Sequence, residues 1–249
     1  MTRYPDLEIC CSNWLSAKEA DKAGADRIEI CSALGEGGLT PSAGFIKQCT
    51  HNLSLKTHVL IRPRSGDFIY NTEEIEIMKS DVVFCKKNRV DAIVLGFLNI
   101  DGSIDKELTK EFIDLAQPMK VTFHRAFDMC KDPFIALEDL ISLNIDYLLT
   151  SGQKSSALEG AEMIHQLVVK SQGRIQIMAA SGVRTHLLKE LMQKTNANAY
   201  HLSSRININS QMEYRKSSVS MGSQSLDAEY IIESQNINDL IKARKILKT

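Results

Sequence analysis

The sequence predicts an α/β fold, a single (β/α)8 TIM barrel spanning residues 1–249. Three observations predict it. Eight short β-branched or apolar runs alternate with amphipathic stretches, the length of 249 residues matches one such barrel, and no G-x-G-x-x-G loop follows the first run. Residues 7–11 form the first run, and Ser16 then opens a helix at 16–23 as a Ser-x-x-Glu capping box with Glu19, which Gly24 closes as its C′ residue. The second run, 27–31, leads through Gly35-Glu36-Gly37-Gly38 to Thr40-Pro41 and a helix at 42–49. The third, 56–62, is followed by the Arg62-Pro63-Arg64-Ser65-Gly66-Asp67 loop and a helix at 72–87. Runs at 92–97 and 120–124 precede helices at 105–115 and 133–143, the latter opened by Asp132 as cap and Pro133 at the first helical position. Runs at 147–151 and 176–181 end in Thr150-Ser151-Gly152 and Ser181-Gly182 turns before helices at 155–169 and 185–194. The eighth run is 199–203, and the closing helix lies within 227–247. Between them the Ser- and Asn-rich stretch 204–225 is too long for an ordinary connection, which predicts a lid on the functional face.

Composition narrows the function. Thirty basic and 31 acidic residues leave a formal charge of -1, so no global field exists to hold nucleic acid or an anionic membrane. An anion site must therefore be local, and near-zero charge permits a homo-oligomer. No apolar window reaches the length of a membrane span. The six cysteines are scattered thinly over a long chain, the pattern of free thiols in a reducing compartment, which predicts a cytoplasmic protein.

Side chains alternate along strands, and in a barrel the outward set packs under helices while the inward set lines the lumen. Leu7, Ile9 and Cys11 suit the helix side, which turns Glu8 and Cys10 inward; Ile28 and Ile30 point out, leaving Arg27, Glu29 and Cys31 inside. The same parity turns His58, Leu60, Arg62, Lys120, Thr122, His124, Met178, Ala180, Ala199, His201 and Ser203 inward. Barrel lumens are usually filled with branched apolar residues. Buried charges need partners, so this polar interior is either a closed ion-pair network or a functional site.

Two chemistries fit it. Cys10 and Cys31 occupy equivalent positions on adjacent strands, and two thiolates suit a soft ion such as Cu(I), although the spacing carries no C-x-x-C. The other chemistry is acid/base work on a small anionic metabolite, a carboxylate or phosphate. Glu8 or Glu29 would be the base, His124 or His201 the proton partner, and Arg62 a bidentate clamp. Arg64 either shares that clamp or joins Asp67 in a self-neutralising loop. Ser151, Gly152, Ser181, Gly182 and Ser203 end strands where barrels bind phosphate, or they merely make tight turns.

Several segments together resemble the CutC copper-homeostasis family: 24–31, 37–42, 62–70, Thr122-Phe123-His124-Arg125-Ala126-Phe127-Asp128, 149–160 and 217–222. The resemblance runs nearly end to end. It implies a cytoplasmic α/β barrel linked to copper handling, with Cu(I) held by the residues that stand here as Cys10 and Cys31. Cys11 departs from the pattern by adding a third thiol beside Cys10, and Met178-Ala179-Ala180-Ser181-Gly182 is less glycine-rich than the corresponding turn in some relatives.

Overall fold

The computed structural model describes residues 4–216, 218–221 and 226–249. Eight parallel strands close into a barrel in sequence order: β1 (Asp6–Cys11), β2 (Arg27–Ile30), β3 (Lys56–Leu60), β4 (Ala92–Leu95), β5 (Lys120–Phe123), β6 (Tyr147–Thr150), β7 (Gln176–Ala179) and β8 (Ala199–Leu202). Closure pairs β1 with β8, which sets Glu8 beside His201 on one side and beside Arg27 of β2 on the other. The crossover helices are α1 (Trp14–Lys22), α2 (Ala43–Asn52), α3 (Thr72–Lys87), α4 (Lys106–Ala116), α5 (Pro133–Ser142), α6 (Ala161–Ser171) and α7 (Leu188–Thr195), with α8 (Ile237–Leu247) last.

Strand parity separates two interiors. The helix-side core contains Leu7, Ile9, Cys11, Ile28 and Ile30 together with Cys49, Cys85 and Cys130. Cys10, Cys31, Leu60 and Val94 cluster apart from it inside the barrel, as do Leu149, Met178, Ala180 and Ala199. Below the first group lies the barrel's charged plug. Arg27, only 2% exposed, gives Nε to Glu8 Oε2 at 2.7 Å and a terminal nitrogen to Asp6 at 2.9 Å. Its guanidinium also rests over the Tyr147 ring, 4.9 Å from the centroid.

Four expectations change at element boundaries. Asn13, not Ser16, caps α1: its side chain accepts from Ser16 N, and Ser16 instead supplies the returning partner of the capping box. α6 begins at Ala161 rather than 155, because the chain first turns back through Gly160. Arg62, His124, Ser151, Ser181 and Ser203 all lie just past the strand ends, where the backbone has left the ladder. The 204–225 stretch is not wholly irregular, since β9 (Arg205–Asn209) pairs antiparallel with β10 (Ile231–Gln235), and the closing helix follows at Ile237–Leu247, inside the expected range. Gln235 anchors this ribbon over β1 by donating to Cys10 O at 2.9 Å while accepting from Ser204 N at 2.8 Å. Of the 217–222 motif, Ser217 and Gly222 lie outside the described residues. Among the described residues no helix is long and apolar enough to cross a membrane.

Candidate functional site

A cavity of about 970 Å³ opens among the strand-end loops, with Cys10, Glu29, Cys31 and His201 in its floor. Register places Cys10 opposite Glu29, and Cys31 follows directly on β2, so the two sulfurs stand 3.9 Å apart. Both thiols are buried and neither is in a disulfide. The hydrogen bond between the sulfurs and burial hold the Cys10 thiol well above its ordinary range. A Glu29 carboxylate oxygen joins them, with all three candidate ligand atoms within 4.8 Å of one another.

Beside the thiols, Glu8 Oε1 bonds His201 Nδ1 at 2.7 Å. Glu8 Oε2 also lies 3.3 Å from His58 Nδ1, close enough for charge attraction but not aligned as a hydrogen bond. Burial lifts the Glu29 carboxyl to about 7 against the attraction of His201, whose Nδ1 is 3.9 Å from Glu29 Oε2. Burial works against the His201 imidazolium, yet Glu29, Cys10 and Glu8 together raise it well above an ordinary histidine. Glu8, paired with Arg27, is held down as a fixed carboxylate, so Glu29 is the carboxyl free to exchange a proton. Its Oε2 is buried without a hydrogen-bond partner among the described residues.

The wall carries Arg62 and His124. Arg62 does not stand free as a clamp: it donates to the carbonyls of Glu36, Gly38 and Gly66 at 2.9–3.0 Å, stitching the loops after β2 and β3 together. Its buried Nε lacks a partner among the described residues. Arg64 resolves as the loop network, bonded to Glu74 at 2.6 Å and Asp67 at 3.1 Å, and does not line the cavity. His124 accepts from Ala126 N through Nδ1, and burial, with Arg62 adding to it, depresses its pKa to about 3. It is a neutral imidazole at physiological pH, with its proton on Nε2.

Ser151 and Gly152 are turned away from the cavity. Their role is mechanical. The Asp128 carboxylate accepts from Thr150 Oγ1, Ser151 N, Ser151 Oγ and Gln153 N, and is paired with Arg125 Nε at 2.8 Å. Gly152 has φ +69°, and a methyl there would run into Gly160 O. Gly152→Ala should therefore lower stability by about 1–3 kcal/mol. A urea midpoint unchanged from wild type would disprove that packing argument.

Ser181, Gly182 and Ser203 do line the cavity. Ser181 Oγ is committed to Ser155 O at 2.8 Å, whereas Ser203 Oγ is buried without a partner among the described residues. Three lining arginines escaped sequence reasoning: Arg125, Arg184 and Arg205. Each stands within a few residues of a strand end, so a census of cations after the strands would have found them.

An eight-stranded parallel barrel with helices between its strands, and with thiols, carboxylates and arginines lining a cavity at the strand ends, is a (β/α)8 barrel protein. The chain matches the model of the CutC family over residues 6–206 and belongs to that family. It is 42% identical over 240 residues to the human "Copper homeostasis protein cutC homolog", covering 96% of this chain and 87% of that protein. A "family protein CutC" of Parabacteroides distasonis is 44% identical over 225 residues, covering 90% and 93%. Among solved structures, a CutC copper homeostasis protein from Streptococcus agalactiae superposes with a TM-score of 0.75 at 32% identity, covering 79% of this chain and 97% of its own. Phosphoribosyl anthranilate isomerase from Thermotoga maritima, at 12% identity and a TM-score of 0.57 over 98% of both chains, shares the fold alone.

Proposed function

We propose that this CutC-family chain is a cytoplasmic copper-homeostasis protein that holds Cu(I), as cargo, between Cys10 and Cys31. The carrying observation is the pair of thiols 3.9 Å apart at the foot of a cavity. The donor set fits the ion, because soft sulfur ligands select Cu(I) over harder cations. Six free thiols among the described residues suit a reducing compartment. A Glu29 carboxylate oxygen within 4.8 Å of both sulfurs supports a third ligand there. Cysteine binds metal as the thiolate, so uptake of the ion must expel thiol protons and binding must weaken as pH falls.

Anaerobic Cu(I) titration against a competing chelator tests the site. Cys10→Ser/Cys31→Ser should lose at least about a hundredfold in affinity, some 2.8 kcal/mol. Cys11→Ala, which alters the thiol on the helix side, should bind as wild type. Undiminished affinity in the double variant sinks the proposal.

A further inference from the structure

Cysteine chemistry accounts for the cavity floor but not for its mouth. Four arginines line the space, Arg62, Arg125, Arg184 and Arg205, against the carboxylates of Glu29, Asp67 and Asp128. Two of those carboxylates are already neutralised, Asp67 by Arg64 and Asp128 by Arg125. Arg62 and Arg184 bond only carbonyl oxygens among the described residues, Arg184 reaching Ser203 O from the neighbouring loop. Two guanidinium charges thus face one cavity with no carboxylate partner, one of them on a residue just 6% exposed. Such charge calls for an anion.

Further donors line the same cavity. Among the described residues Ser203 Oγ has no hydrogen-bond partner, and neither have Arg62 Nε and His124 Nε2 on the wall. The amide N–H groups of Gly182 and Val183, both lining residues, donate to no acceptor among the described residues. Arg205, loosely paired through one nitrogen with Glu233 at 3.5 Å, follows Ser203 by two positions, and β7 and β8 are neighbours, so these groups come from adjoining loops. A tetrahedral oxyanion, with several lone pairs on each oxygen, can accept from guanidinium forks, a hydroxyl and main-chain amides together. A cavity of about 970 Å³ has room for much more than the anion itself.

We propose that the mouth of the cavity, between the loops after β7 and β8, binds the phosphate group of a small phosphomonoester through Arg184, Arg205, Ser203 and the Gly182–Val183 amides. Arg125, anchored by Asp128, borders the same space. This subsite is separate from the thiols and does not depend on Cu(I).

The test uses the full chain with inorganic phosphate and glycerol 3-phosphate as probes, and succinate and chloride at matched ionic strength as comparisons. Both phosphate probes should raise the unfolding temperature saturably, and calorimetry should give a finite affinity. Arg184→Gln and Arg205→Gln, exposed positions that leave the core intact, should each weaken that affinity by about tenfold or more. Arg174→Gln, which alters a surface pair with Glu138 outside the cavity, should leave it unchanged. Retained phosphate binding in Cys10→Ser/Cys31→Ser would keep this subsite standing even if the copper site fell. The subsite is overturned if phosphate protects no better than matched chloride. It is equally overturned if succinate protects as well as phosphate, or if both arginine variants bind phosphate like wild type.

Discussion

Glu8→Gln should cost the protein about 3–5 kcal/mol, the loss expected when one partner of a buried ion pair is removed. Glu8 has no exposed surface, and its carboxylate sits between Arg27 at 2.7 Å and His201 at 2.7 Å. Burial pushes its pKa up, but Arg27, His201 and His58 outweigh that and hold it well below the ordinary carboxylate value. A carboxylate depressed in this way stabilises the fold fully above its unfolded pKa, and the contribution is lost as pH falls toward the folded value. The neutral amide would leave Arg27, 2% exposed, with Asp6 as its one remaining carboxylate partner among the described residues. In a double-mutant cycle with Arg27→Met, the paired loss should be smaller than the sum, because the second substitution removes the buried guanidinium that the first leaves short of a partner. Additive losses by urea titration would show that Glu8 and Arg27 stabilise independently.

That plug was legible in the sequence because strand parity is a local rule. Once Ile28 and Ile30 are assigned to the helix side, Arg27 and Glu29 have only the lumen left, and register then brings Arg27 to Glu8. The loops obey no such rule. Arg62 ends a strand like a clamp, but the carbonyls that occupy it belong to Glu36, Gly38 and Gly66, whose positions depend on the path of two loops. Ser151 and Gly152 look like a phosphate turn, yet the Asp128 carboxylate captures the Ser151 N–H. The β9 strand was readable in principle, since Ile206 and Ile208 alternate with Arg205, Asn207 and Asn209. Its Ser- and Asn-rich surroundings hid it, and its pairing with β10 is a long-range event that composition does not encode.

His124 should make the protein acid-labile in a way that one substitution removes. The imidazole is buried, its pKa is about 3 against 6.5 for the free side chain, and burial followed by the nearby Arg62 charge is responsible. Between those two values the native state binds fewer protons than the unfolded chain. The stability held by a neutral His124 is therefore complete above pH 6.5 and declines as pH falls toward 3, by up to about 1.4 kcal/mol for each unit. Asparagine cannot titrate, and its side-chain oxygen can accept from Ala126 N as Nδ1 does now, so the turn starting at Arg125 keeps its cap. It gives up the edge contact with Phe68, whose centroid is 5.0 Å from the imidazole. At pH 7.5 His124→Asn should accordingly be no more stable than wild type. Lowering the pH to 5 should move the difference in the variant's favour by about 2 kcal/mol, read from urea midpoints of both proteins at both pH values. Parallel stability curves would mean that the folded imidazole protonates near its ordinary pKa. In that case the ring would bring a positive charge to the cavity wall beside Arg62, and its added proton, on Nδ1, would face the Ala126 N–H that Nδ1 now accepts.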